Sequence, residues 1–326
     1  MLLAIKYPSW IHPSIFPGVP VLQNIRWYGL MYIVAFGIAF FILSKLRKEG
    51  ALDDNKSVTT DDDLFNFFAF SVLFLLLGAR IFSTLIYDTS GIYLKKPWLI
   101  FWPFRNGKFT GLAGMSYHGG FIGGFIGMVL WCKLHHKPVL KWIDAMAISI
   151  PLGYTFGRIG NFMNGELFGR ITTMSWGVIF PYASKFSASL QWVQDFAQKA
   201  GVEITGSMVN LPRHPSQLYE AFFEGVVLFL LLWFTRKFKP FTGFSSALYT
   251  IGYGTARFFI EYFRQPDEDI GFRTGDAQNA PIYLNQSMLN LSTGQILCLI
   301  MILGGLVIIG LGLYFKKKKA ASDKQK

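Results

Sequence analysis

The stretch Gly157–Gly169, GRIGNFMNGELFG, places Arg158, Asn161, Asn164 and Glu166 among glycines directly after the apolar run Trp142 to Phe156. Ionisable groups at the end of an apolar span are costly unless they face protein, water or an anion, about 2.5–3.5 kcal/mol each at mid-membrane. A second polar run, Arg257 to Asp267, spaces Arg257, Glu261 and Arg264 at i, i+4 and i+7. On a helix these three share one stripe, with Phe258, Phe259, Tyr262 and Phe263 covering the rest. On that stripe the one carboxylate, Glu261, cannot neutralise both Arg257 and Arg264, and Arg158 adds a third guanidinium with Glu166 and Glu220 as its nearby candidates. An arginine excess suits a phosphate, because the planar guanidinium fork meets phosphate oxygens two at a time. An internal Arg257–Glu261 salt bridge is the purely structural alternative.

Two histidines add proton chemistry. His118 follows Ser116–Tyr117 at the start of a glycine-rich apolar run, where an imidazole can exchange protons with water. Its bland alternative is a solvated or capping residue. His214–Pro215–Ser216–Gln217–Leu218–Tyr219–Glu220 reads as a helix start. Glu220 then stands in the first turn, where the helix dipole favours an anion. Glu220 is expected to pair or orient rather than catalyse.

The elements that must position these residues are membrane helices. Of 326 residues 52% are hydrophobic and only 15% charged, with mean hydropathy +0.36, outside the usual composition of a soluble domain. Apolar runs of spanning length are read at about 27–44, 64–86, 118–132, 140–157, 217–235, 243–263 and 295–315. The fold expected is therefore an all-α integral membrane protein with seven transmembrane helices. In the third run Gly119, Gly123 and Gly127 recur every fourth residue, a spacing that lets helices approach closely in lipid. The net charge of +12 comes from short clusters flanking the runs, which argues against nucleic acid. Lys45/Arg47/Lys48, Lys133/Lys137/Lys141, Arg236/Lys237/Lys239 and Lys316–Lys319 all fall on one side of a seven-span chain. That side is expected to be cytoplasmic, with the amino terminus and the polar motifs outside.

Prolines at 8, 13, 17 and 20 interrupt any leader-like apolar helix near the amino terminus. Between 170 and 212, a strand-like patch at Ser175–Phe180 and a polar helical patch at Leu190–Ala200 suggest a small external head. The division expected is an external segment 1–26, a catalytic bundle 27–315 carrying the head at about 170–212, and a basic tail 316–326. Cys132 and Cys298 look far apart, so neither a disulfide nor a metal site is expected. A transporter would show internal repeats, which are not found here. A non-catalytic membrane chaperone has no need of a histidine beside three arginines.

The blocks Arg26–Tyr32 (RWYGLMY), Gly78–Arg80, Ser116–Gly120, Gly157–Gly169, His214–Glu220 and Arg257–Asp267 occur in the order found in bacterial phosphatidylglycerol:prolipoprotein diacylglyceryl transferases. The chain resembles that family over about residues 15 to 315. The resemblance implies an inner-membrane enzyme with a periplasmic head and no metal or organic cofactor. Such an enzyme moves the sn-1,2-diacylglyceryl group of phosphatidylglycerol to the lipobox cysteine of a prolipoprotein signal peptide. It would release glycerol phosphate, as the first step of lipoprotein maturation. On this basis His118, Arg158 and Arg257 are the catalytic candidates, His118 as base and the arginines on the phosphate. Tyr28, Asn161, Asn164, Glu166, Glu220, Tyr253, Glu261 and Arg264 are the candidates for substrate binding.

Overall fold

The structure, a computed structural model, describes residues 4–19, 22–54, 57–105, 107–109, 114–266, 271–275 and 280–323. Asp267, the last residue of the sixth motif block, lies outside the described residues, as do 1–3 and 20–21 of the amino-terminal segment and 324–326 of the basic tail. The helices are α1 Trp27–Lys48, α2 Asp61–Phe82, α3 Ile92–Lys95, α4 Tyr117–Leu134, α5 Val139–Met163, α6 Gln191–Ala200, α7 Ser216–Glu220, α8 Leu228–Thr235, α9 Phe244–Ile260 and α10 Thr293–Asp323. Two π-helical segments follow α2 and α7, at Ser83–Tyr87 and Ala221–Val227. Short strands complete the chain: β1 Ile5–Lys6, β2 Phe104–Arg105, β3 Lys108–Phe109, β4 Val178–Ile179, β5 Phe186–Ser187 and β6 Met208–Val209.

Helices therefore occupy the apolar runs read from the sequence. Among the described residues four helical stretches are long and apolar enough to cross a membrane: 27–48, 61–87, 216–235 and 293–323. The last extends through the lysine cluster at 316–319, beyond the apolar run that ends near 315. α9 is shorter than read, stopping at Ile260, so Glu261 is its C-cap and Arg264 lies beyond the helix.

The chain forms two compact units, one of residues 1–39 with 147–326 and one of residues 40–146. In the smaller unit α2 starts on a capping box: Asp63 N–H donates to Thr60 Oγ1 at 3.0 Å and Thr60 N–H to Asp63 Oδ2 at 3.2 Å. α4 packs on α2 backbone to backbone where Gly78 meets Gly119 and Gly123. A Cβ on Gly78 would stand 2.8 Å from Gly123 Cα, closer than real Cβ atoms come, so this crossing requires glycine at both places. The four-residue glycine rhythm is thus a packing seam.

In the larger unit, the segment after α5 folds into a small subdomain whose core is Ile171, Val193, Ala197, Val209 and Leu211, flanked by Phe186, Trp192 and Tyr283. Helix α6 coincides with the polar helical patch read from the sequence, and β4 falls inside the strand-like patch. β5 and β6 pair antiparallel. β4 pairs in parallel with β1 near the amino terminus, a long-range partnership with no local signature. Cys132 and Cys298 are both free and buried.

Candidate active site

The larger unit holds a buried cluster of arginines and glutamates. Arg158, from the last turns of α5, points Nε at Glu220 Oε2 at 2.8 Å and donates to Tyr154 Oη at 2.6 Å. Arg257, near the end of α9, reaches three carboxylates: Glu220 at 3.1 Å, Glu224 at 3.8 Å and Glu261 at 3.1 Å. Arg264 approaches Glu220 at 3.8 Å and Glu261 at 3.9 Å. Glu220, Glu224 and Glu261 are all buried.

This geometry corrects the charge count made from sequence neighbours. Glu224, one turn after Glu220, lies in the apolar run 217–235 outside the motif blocks. It brings three carboxylates against three guanidiniums, so the arginine excess does not hold within the cluster. Tyr154 was missed as well, and its hydroxyl donates to Glu224 at 2.5 Å while accepting from Arg158. Both lie one helical turn from a residue that was recognised, on the same face, which is the signal that could have found them. Glu166, taken as a candidate partner of Arg158, instead accepts the amides of Asn161 at 3.0 Å and Asn164 at 3.2 Å. Asn161 links this group back to the cluster, since Arg158 Nη1 lies 3.5 Å from its Oδ1. Ser292 Oγ donates to Glu261 at 3.0 Å.

Arg257 is the hub. Its Nη1 and Nη2 are both turned to carboxylates, whereas Arg158 meets Glu220 mainly through Nε and Arg264 is held at the limit of ion-pair distance. Removing one partner of such a buried network strands the others and costs about 3–5 kcal/mol. Tyr253 stands edge-on to Tyr154 with ring centroids 6.2 Å apart. Tyr28 shares a hydrogen bond with Tyr32 at 2.9 Å.

The end of the Gly157–Gly169 motif is laced to two other segments. Gly169 N–H donates to His214 O at 2.8 Å and Arg170 N–H to Phe263 O at 2.9 Å. A Cβ at Gly169 would lie 2.9 Å from that of His214, so only glycine permits this approach. Arg170 and Arg213, which the sequence did not single out, are almost fully buried here. Arg170 donates to Arg264 O at 2.8 Å, and Arg213 donates to Gln265. Each guanidinium also lies over an aromatic ring, Phe272 at 5.0 Å for Arg170 and Phe168 at 4.9 Å for Arg213. Burial pushes both arginines down to about 10. Burial, with the charge of Arg170, pushes His214 down to about 4. A neutral His214 ring can then accept from Tyr219, 3.2 Å away, whose oxygen takes a hydrogen bond from Trp176 at 2.8 Å.

In the smaller unit His118 opens α4, whose N-cap is Ser116, the acceptor for Gly119 N–H at 3.1 Å. His118 is exposed, and its Nδ1 lies 2.9 Å from the hydroxyl of Tyr87 on the π-helical turn after α2. Tyr87 carried no motif in the sequence. Arg80 of the Gly78–Arg80 block is buried and ties a loop to α2, donating to Ile100 O and to Gly114 O at 3.2 Å.

Residues 18–311 match the family described as prolipoprotein diacylglyceryl transferase. Three relatives carry the name phosphatidylglycerol–prolipoprotein diacylglyceryl transferase. That of Treponema denticola is 55% identical over 99% of this chain and 98% of its own. That of Treponema pallidum is 52% identical over 94% of each chain. That of Borreliella burgdorferi is 43% identical over 94% of this chain and 92% of its own. The chain belongs to the prolipoprotein diacylglyceryl transferase family. The match to this family takes in the Arg–Glu cluster and His118 with Tyr87. It starts after β1 and Tyr7, whose hydroxyl caps the end of α5 by donating to Phe162 O at 2.8 Å.

Proposed function

We propose that this chain transfers the diacylglyceryl group of phosphatidylglycerol to prolipoproteins, the reaction named in its relatives. The observation that carries this is 55% identity over essentially the full length of a relative so named, and the buried arginine cluster supports it.

The acceptor in this proposal is the lipobox cysteine of the signal peptide. Its sulfur attacks the glycerol carbon that bears the phosphate, so a C–S bond forms as the C–O bond breaks. The electron pair leaves on the phosphate oxygen, and glycerol phosphate departs. The thiol proton passes to His118. With Nδ1–H donating to Tyr87, Nε2 presents the lone pair that receives it. A thiol is mostly protonated at neutral pH, so this step raises the fraction of the reactive thiolate.

The leaving phosphate gains charge as the bond breaks, and fixed cations then stabilise the transition state more than the ground state. Arg158 supplies that charge through its Nη edge, aided by the loosely held Arg264. Arg257, expected beside Arg158 on the phosphate, has Nη1 and Nη2 turned to carboxylates, so in this proposal it holds the carboxylates in place and keeps Arg158 and Arg264 oriented. Asn161 and Asn164 donate to the head group, Glu166 accepts from it, and Tyr28 and Tyr253 line the entry. Glu220 and Glu261 orient the guanidiniums.

The remaining helices α4, α5 and α9 complete a seven-span bundle in the bacterial inner membrane. The amino terminus and the 170–212 head face the periplasm, the lysine tail faces the cytoplasm, and the reaction uses no metal or organic cofactor. The test is direct. The purified protein, given phosphatidylglycerol vesicles and a lipobox peptide, should add the mass of one diacylglyceryl group to the cysteine. A peptide unmodified under conditions where a relative modifies it would refute the proposal.

A further inference from the structure

Tyr154 stands one turn before Arg158 on α5, at i and i+4, so the two side chains share a helix face. The residue between α5 and its neighbour at this level is Thr155, whose Oγ1 donates to Ala221 O of the π-helical segment at 3.2 Å. A Cβ at Gly225 would overlap Thr155 Oγ1, so the approach needs glycine there. This contact brings Tyr154 directly against Glu224.

Tyr154 meets Arg158 in two ways at once. A phenol hydroxyl has one proton to give and lone pairs with which to accept. The proton goes to Glu224 Oε2 at 2.5 Å, which leaves the lone pairs to Arg158 Nε at 2.6 Å. The ring lies against the same guanidinium, with Cζ 4.8 Å from the ring centroid, an attraction of a cation to a π face. Among the described residues Tyr154 is the one hydrogen-bond donor to Glu224, whose ion-pair partner Arg257 is held off at 3.8 Å.

Glu220 cannot do this work alone. Its Oε2 faces Arg158 Nε at 2.8 Å and Arg257 Nη1 at 3.1 Å, and one shared oxygen fixes a distance but not a plane. A second contact at Nε together with a ring against the guanidinium fixes the plane. The opposite edge is held more loosely, since Nη1 reaches Asn161 Oδ1 at 3.5 Å.

We propose that Tyr154 is a positioning residue for the transfer reaction, holding the Arg158 guanidinium in the plane that turns its Nη edge to the leaving phosphate. The inference rests on the role proposed above for Arg158, through which Tyr154 acts.

The test compares full-length wild type with Tyr154→Phe, which keeps the ring and removes the hydroxyl, in nanodiscs of graded phosphatidylglycerol content with a lipobox peptide. The kcat should fall about 10- to 100-fold, with the KM for phosphatidylglycerol moving by less than about twofold, because the charge being positioned acts as the bond breaks. The loss should be the same at pH 7 and pH 9, since no proton acceptor has been removed. Independently of turnover, the Arg158 Nε–H resonance of arginine-labelled protein, identified by its absence in Arg158→Lys, should shift and exchange with water at least about tenfold faster in Tyr154→Phe. If Tyr154→Phe melts well below wild type, the substitution is repeated beside Glu224→Gln, which removes the carboxylate left without its donor, and is compared with Glu224→Gln alone; the same fall in kcat is expected. A kcat within about twofold of the parent, a loss carried by KM, recovery at pH 9 or an unmoved resonance overturns the inference while transfer by the wild type stands. A resonance that responds to Tyr154→Phe in a protein that transfers nothing would retain the hold on Arg158 and remove the transfer proposal.

Discussion

The Arg–Glu cluster and His118 handle ionisable chemistry in opposite ways. The cluster sets three partly buried guanidiniums against three buried carboxylates and shares each acid among partners. A charge there is tolerated only because its neighbours neutralise it, so the network is stiff and fails as a whole. His118 sits exposed at the first turn of α4, hydrogen-bonded to Tyr87 and edge-on to Tyr117. In the proposed reaction the first environment positions charge and the second gives a proton acceptor access to the thiol.

The largest effect expected is at the hub. Arg257→Ala should leave Glu220, Glu224 and Glu261 under-compensated, lower stability by about 3–5 kcal/mol, and remove transfer activity. Arg257→Lys should rescue little, since one ammonium cannot span three carboxylates. Thermal melting in detergent alongside the peptide assay checks both, and a lysine variant with near-normal melting and turnover would break the picture of a stiff shared network.

For His118 the losses should separate. His118→Gln should reduce turnover about 10²- to 10⁴-fold, with stability moved by no more than about 0.5 kcal/mol, as for an ordinary surface substitution. Raising the pH toward about 8.5 should recover part of the rate, because the acceptor thiol then ionises without help. Tyr87→Phe should cost less than His118→Gln. A defect that stays constant from pH 7 to 9 would assign His118 to positioning instead of proton transfer.

The smallest effect sharpens the contrast between exposed and buried histidines. His214 is held down to about 4 by burial and by Arg170, below the roughly 6.5 of a free imidazole. The unfolded chain therefore binds a proton more readily than the folded one. Stability should fall as pH drops from about 6.5 toward 4, by on the order of 1–3 kcal/mol at most. Melting temperatures over that range should show a shallower acid slope in His214→Gln than in wild type. Identical slopes would mean that His214 is not what the acid titrates.

Some of this molecule was legible in local pattern. Hydropathy placed the helices, because an apolar run long enough to span is a property of neighbouring residues. The glycine spacing in α4 announced a close helix crossing, and the motif blocks picked out Arg158, Glu220, Arg257, Glu261 and His118. The partners of those residues were not legible. Glu224 and Tyr154 join the cluster only once α5, α7 with its π-helical continuation, and α9 converge. Arg170 and Arg213 look like surface cations in a polar loop, yet the fold buries them against backbone carbonyls and aromatic rings. The pairing of β1 with β4 joins Ile5 to Val178, a distance along the chain over which no periodicity carries information. Sequence alone determined which residues carry charge into apolar helices and where those helices lie, since helical periodicity and transfer free energy act over a few turns. Tertiary structure decided which charges cancel, which histidine stays in water and which tyrosine joins an arginine to a glutamate, because those depend on contacts between segments that only the folded chain brings together.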